Sequence, residues 1–260
     1  KNCKEERLLG VSLTGIMDSV MTNGTEPGLE KRLDTLRKVA VATNKELAEE
    51  LKIPQSASVT CVKPSGTVSN LVDSASGIHA RHAEYYVRTV RADKQDPLAQ
   101  FMIEAGFYAE SDVTRPENTW VFYFPQRAPK GAVTRNERTA IQQLEFWRLY
   151  QNHWCEHKPS ATIYVQEEEW LDVGAWIYRH FDTVSGLAFL PNLEHIYKQA
   201  PYIDCTKDEY EEWMKKVPTK VDWTKLAVYE TLDTTTGSQE LACVAGACDL
   251  VDIPARGSAK

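Results

Sequence analysis

Between residues 8 and 190 the chain keeps repeating one alternation: a short apolar or β-branched run, a turn, then a stretch with helical spacing. "LLGVSL" at 8–13 reads as a buried strand closed by Thr14 and Gly15. Residues 28–51 put Leu29, Leu33, Leu36, Ala40, Leu47 and Leu51 on one helical face, and Pro54 stops the run. Further strands are expected at 58–62, at "EYYVRTVR" (84–91), "TWVFYF" (119–124), "SATIYV" (160–165) and "SGLAFL" (185–190). Asp96 and Pro97 open a helix that Gly106 closes. Thr134 and Glu137 form a capping-box pattern for a long helix to about His157. A further helix covers 167–181, with Trp170, Val173 and Ile177 inward. Strands separated by helices point to α/β layering with mainly parallel strands, as an open sheet or part of a barrel.

After Pro191 the pattern weakens. Residues 207–216 read as a helix capped by Thr206, and 231–260 is polar and without periodicity, a tail rather than core. The expected organisation is therefore a main α/β unit over 1–200, a peripheral helical segment over 201–230 and a flexible tail over 231–260. Of the 260 residues 42% are apolar, enough for a substantial core. A net charge of −7 without a basic stripe argues against a nucleic-acid polymer as partner. No apolar run approaches the roughly 20 residues of a membrane span. Six scattered cysteines and no signal-peptide pattern point to the cytoplasm. The chain opens Lys1-Asn2-Cys3 and soon enters strand pattern, so it reads as part of a longer or split protein.

The segment "KPSGTVSN" (63–70) sits between an expected strand and a potential helix start. Such a junction presents unpaired backbone N–H groups, and the helix dipole favours an anion there. Ser65, Thr67 and Ser69 add hydroxyl donors, and Gly66 lets the backbone approach a ligand. This is not the GxxxxGK[ST] pattern of a nucleotide-hydrolysing loop, and by composition alone an ordinary capped turn accounts for it.

In the tail, Cys243 and Cys248 stand five apart in "CVAGACDL", with small residues and Gly246 between them. The thiols can meet as a disulfide, and on a mobile tail such a pair can exchange electrons with another disulfide. A passive disulfide, half of a zinc site or two idle thiols are the other readings. "HWCEH" places His153 and His157 four apart, on one face if the helix continues, yet it lacks the HExxH glutamate and a third ligand; no metal site is expected. His79 and His82 in "GIHARH" could assist a phosphate or a proton transfer, but local hydrogen bonding is the simpler role. Cys61, Cys155 and Cys205 read as packing residues.

"KPSGTVSNL", "SGIHARHAEYYVRTVR" and "DPLAQFM", in that order, resemble the second half of adenosylcobalamin-dependent (class II) ribonucleotide reductases. "ERLLGVSLTGIMD", "SGLAFLP" and "QAPY" resemble further stretches of it, and "CVAGACDL" resembles that family's redox tail. The resemblance implies the second half of a ten-stranded α/β barrel with a flexible C-terminal tail. It implies reduction of ribonucleotides to deoxyribonucleotides. In that chemistry a cobalt–carbon bond breaks homolytically, a cysteine thiyl radical takes hydrogen from the ribose 3′ carbon, and water leaves from the 2′ carbon. Pro64, Ser65, Gly66, Thr67, Val68 and Ser69 match the loop that holds the substrate phosphates. Cys243 and Cys248 match the tail pair that re-reduces the active-site disulfide and is itself reduced by thioredoxin-like proteins. Ser185, Gly186 and Leu187 would lie near the corrin of adenosylcobalamin. The implied substrate is a ribonucleoside di- or triphosphate. The NPCGEI-type segment with the radical cysteine is absent from the sequence, so activity would require the N-terminal half, in the same or a companion chain. A di-iron-class reductase fragment, or a phosphate-binding α/β module without reductase activity, are the competing readings.

Overall fold

The local patterns become elements at nearly every expected position. The computed structural model describes residues 7, 10–66, 68–192 and 198–230. In chain order these form β1 (Val11–Ser12), α1 (Leu29–Glu50), β2 (Thr60–Cys61), the single turn α2 (Val68–Leu71), β3 (Tyr85–Asp93), α3 (Pro97–Glu104), β4 (Ala109–Ser111), β5 (Thr119–Arg127), α4 (Ala140–His153), β6 (Ala161–Val165), α5 (Trp170–Arg179), β7 (Leu187–Pro191), β8 (Tyr202–Asp204), α6 (Lys207–Met214) and α7 (Leu226–Tyr229). Thr67, Cys243 and Cys248 lie outside the described residues.

Two parallel pairs form one layer. β1 lies beside β2 with Val11 opposite Thr60, and β6 lies beside β7 with Ala161 opposite Leu187. The Ser160 amide donates to the Val62 carbonyl at 3.0 Å and ties the two pairs together. Helices α1, α4 and α5 cover this layer. The main core lies beneath them and includes Ile16, Leu33, Val62, Leu144, Trp147, Tyr150, Ile163 and Trp176. Its aromatic polar tips find acceptors, as burial requires. Tyr150 Oη donates to the Thr22 carbonyl at 2.7 Å, Trp154 Nε1 to the Cys61 carbonyl at 2.8 Å and Trp176 Nε1 to Glu145 at 2.7 Å.

The expectation of mainly parallel strands fails in the middle of the chain. β4, β5, β3 and β8 form one antiparallel sheet in that order, with Tyr85 opposite Arg127 and Asp93 opposite Thr119. Period-two patterning marks a strand without fixing its direction. Helix α3 does not carry the chain over to a parallel neighbour. It leads into the three-residue β4, which turns back along β5. One face of the sheet buries Val87, Val121 and Tyr123 against Ile203 and Trp213. On the other face Phe122 packs with Ala99, Phe101 and Met102 of α3. Further along that second face, Tyr86, Arg88, Gln126 and Tyr202 are left to line a cavity.

Two helical expectations also change. The Thr134–Glu137 box forms, with the Thr134 amide and hydroxyl both donating to Glu137 at 2.7 Å, but it caps only a 3-10 turn. Arg138 is extended, and α4 restarts on a second box in which the Thr139 amide donates to Gln142 at 3.0 Å. The second start prevails because it puts Ala140, Leu144 and Trp147 fully inside. The apolar stripe of α1 is longer than the surface it crosses: Leu29 and Leu33 are buried, whereas Leu36, Leu47 and Leu51 are 43%, 48% and 64% exposed.

Candidate functional site

β2 delivers the chain through Lys63 into the 64–69 loop, and that loop is braced from inside the protein. The Ser65 amide donates to Ser76 Oγ at 2.7 Å, and the same hydroxyl donates back to the Ser65 carbonyl at 2.9 Å. The Ser69 amide donates to Ser65 Oγ at 2.7 Å, and the Ser74 amide donates to the Ser69 carbonyl at 2.8 Å. Asn70 Nδ2 donates to the Gly66 carbonyl at 2.8 Å. Gly77, at φ +57°, lets segment 74–77 lie against the loop; a Cβ there would stand 2.8 Å from the Lys63 carbonyl oxygen. The Ser65 and Ser69 hydroxyls, expected as ligand donors, are therefore spent on the loop's own geometry. Gly66 and the Val68 amide at the start of α2 remain for a ligand.

The brace is itself anchored by Arg81. Its Nε and Nη2 each lie 2.9 Å from the two Asp18 oxygens, a bidentate pair, and its Nη1 lies 3.0 Å from Asp73 Oδ1. Asp18 Oδ2 also accepts the Ala75 amide at 2.7 Å. Burial opposes the Arg81 charge, but the hydrogen bonds to Asp18 and Tyr86 more than offset it and its pKa rises. His79 donates through Nδ1 to the Ser76 carbonyl at 2.8 Å and accepts the Thr162 amide on Nε2 at 2.9 Å. That pairing fixes a neutral Nδ1–H imidazole, and burial lowers its pKa further. His79 thus makes local bonds and links the brace to β6.

Loop, brace and the open part of the antiparallel sheet enclose a cavity of about 380 Å³. Ser65, Gly66, Ser69 and Asn70 line one side of it; Phe146, Trp147, Ile163 and Tyr164 form an apolar wall. Four arginines converge on it: Arg81, Arg88, Arg135 and Arg138. Arg135 pairs with Asp204 at 3.0 Å, and the same carboxylate lies 2.7 Å from His82 Nε2. His82 stacks on Tyr202 with ring centroids 5.1 Å apart. Arg138 lies 4.2 Å over the Phe146 ring and donates to the Asn23 carbonyl, and burial lowers its pKa. Arg81 and Arg135 are matched by carboxylates, so among the described residues Arg88 and Arg138 supply the unmatched positive charge of the cavity, which suits an anion.

Sequence reasoning found the loop and missed the arginines. Tyr86 and Arg88 share one strand face by period two, which was a usable signal, but that face was not assigned to the site. Ser185, Gly186 and Leu187 are not in the cavity wall. A Cβ on Gly186 would meet Ser160 Oγ at 2.9 Å and the Pro159 carbonyl at 3.1 Å, and Leu187 packs against the core. The Ser185 hydroxyl is buried without a hydrogen-bond partner among the described residues. In "HWCEH" the helix ends at His153, which pairs with Asp34 at 3.1 Å, so the two histidines do not stack on one face. Cys155 is buried, and burial pushes its thiol up to about 12, in line with packing.

Fold and cavity define an α/β protein with a braced loop opening on an arginine-lined pocket. Comparison with known proteins supplies the relatives. The chain is 31% identical over 233 residues to an adenosylcobalamin-dependent ribonucleoside-triphosphate reductase of Euglena gracilis, a match covering 87% of the chain and 31% of that protein. It is 29% identical over 226 residues to a probable enzyme of the same name from Dictyostelium discoideum, and 25% identical over 280 residues to one from Lactobacillus leichmannii. A crystal structure of a B12-dependent (class II) ribonucleotide reductase shares the fold, with a TM-score of 0.75 and 22% identity over 89% of this chain and 36% of that one. No family model matches. The chain is thus homologous, over most of its length, to adenosylcobalamin-dependent ribonucleotide reductases, and it spans about a third of the length of these relatives.

Proposed function

We propose that this chain is the part of an adenosylcobalamin-dependent ribonucleotide reductase that holds the phosphate tail of a ribonucleoside di- or triphosphate. Pro64, Ser65, Gly66, Thr67, Val68 and Ser69 form the phosphate loop, and Arg81 holds that loop in shape through Asp18 and Asp73. The apolar wall of Phe146 and Trp147 excludes water beside it. The reading extends to a complete enzyme in which this chain supplies the second half of a ten-stranded barrel. There, thiyl-radical chemistry at a cysteine outside this chain converts ribonucleotide to deoxyribonucleotide. The complete enzyme is cytoplasmic and binds adenosylcobalamin. Cys243 and Cys248 serve as a shuttle that accepts electrons from a thioredoxin-like protein and passes them to an active-site disulfide.

The observation that carries the proposal is the convergence of Ser65, Gly66, Ser69 and Asn70 with four arginines on one cavity. Calorimetric titration of the protein with a ribonucleoside triphosphate and with the matching nucleoside tests it. The triphosphate is expected to bind and the nucleoside to bind far more weakly, with Gly66→Val removing the difference. Equal affinity for nucleoside and triphosphate would refute a phosphate-holding loop. Triphosphate binding, with no reductase activity once the N-terminal half is supplied, would instead favour a phosphate-binding module.

A further inference from the structure

Among the cavity's arginines, Arg81 is matched by Asp18 and Asp73 and Arg135 by Asp204. Arg88 differs. Among the described residues it has no carboxylate at ion-pair distance. Its guanidinium donates to Asn70 Oδ1 and lies 5.6 Å from the centroid of the Tyr202 ring, both neutral partners. The same Asn70 side chain donates to the Gly66 carbonyl, so one amide joins Arg88 to the phosphate loop. The backbone makes this placement firm: Arg88 sits in the middle of β3, opposite Phe124 on β5 and Tyr202 on β8. A cation so held, partly desolvated and matched only by neutral groups, gains most from an anion that reaches it. The loop's amides can hold one phosphoryl group, and Arg88 stands one side chain away from them.

We propose that Arg88 is a specificity residue that reads the length and charge of the phosphate chain: it engages the phosphoryl groups beyond the one seated on the loop. The site thereby favours a polyphosphate ester over a monophosphate. This rests on the reading that the 64–69 loop holds phosphate. Asn70 acts as a positioning residue that keeps the guanidinium turned toward the loop.

The test is calorimetric binding of inorganic tripolyphosphate and of orthophosphate to the protein and to three variants: Arg88→Gln, Arg88→Lys and Gly66→Val. A hydrogen bond to a charged group is worth enough that Arg88→Gln should weaken tripolyphosphate binding about 10- to 100-fold. Orthophosphate should change far less, and Arg88→Lys should recover much of the loss because it keeps the charge. Wild-type tripolyphosphate affinity in Arg88→Gln, with binding lost in Gly66→Val, overturns the role of Arg88 and leaves the loop reading standing. Unchanged binding in Gly66→Val removes the loop reading and this proposal with it. Equal weakening of both anions in Arg88→Gln, or no recovery in Arg88→Lys, also overturns it.

Discussion

Arg81 shows how one side chain can set a site it does not offer to a ligand. Its side chain is 4% exposed and that of Asp18 12%, so the pair is effectively internal. Burying two charges is costly, and the geometry offsets that cost only because every partner is in place: bidentate Asp18, the Asp73 carboxylate and the Tyr86 hydroxyl. Arg81→Met leaves the Asp18 carboxylate buried without its cation. The expected loss is about 3–5 kcal/mol of folding stability, read from the urea midpoint. Adding Asp18→Leu to Arg81→Met should restore part of it, since an apolar pair is a tolerable replacement. A single variant as stable as the parent would show that the brace is not held this way.

Among elements, the β4–β5 connection carries its own pH dependence. Asp112 is buried and accepts from the Thr114 amide at 2.7 Å, the Arg115 amide at 2.9 Å and Arg91 Nε at 2.6 Å. Burial alone would raise its pKa, but the bonds from Thr114, Arg91 and Arg115 win and bring it from the ordinary 3.8 down to about 2. The unfolded chain then binds the proton first on acidification. The stabilisation is fully present above about pH 4 and is lost as pH falls through about 2, a swing of about 2 kcal/mol. Asp112→Asn should flatten that limb of the stability–pH curve between pH 4 and 2. An unchanged slope would mean that the turn is held by something else. The helices show the complementary lesson. Caps were legible because Thr134 with Glu137, and Thr206 at the head of α6, act within one turn of chain. The break at Arg138 was not, because two adjacent boxes compete and only the burial of Ala140 chooses between them.

For the whole molecule, a chain of net charge −7 holds four arginines around one cavity, and leaves Leu71, Leu171 and Phe181 at 86%, 88% and 72% exposure. The functional proposal makes one demand at this scale. In the complete enzyme, Cys243→Ser with Cys248→Ser should spare a single turnover and block repeated turnover driven by thioredoxin. Undiminished steady-state turnover with thioredoxin would refute the shuttle, and small dithiols are not a fair readout because they can bypass it.

The amino-acid order alone determined where most helices and strands lie and which segment forms the loop, because periodicity, caps and turn residues act over a few neighbouring positions. Only the tertiary structure decided that Ser65 and Ser69 bond each other and that β3 runs antiparallel to β5. It likewise brought Arg81, Arg88, Arg135 and Arg138 together. Strand direction and register are settled by packing between distant segments, and an alternating pattern reads the same in either direction.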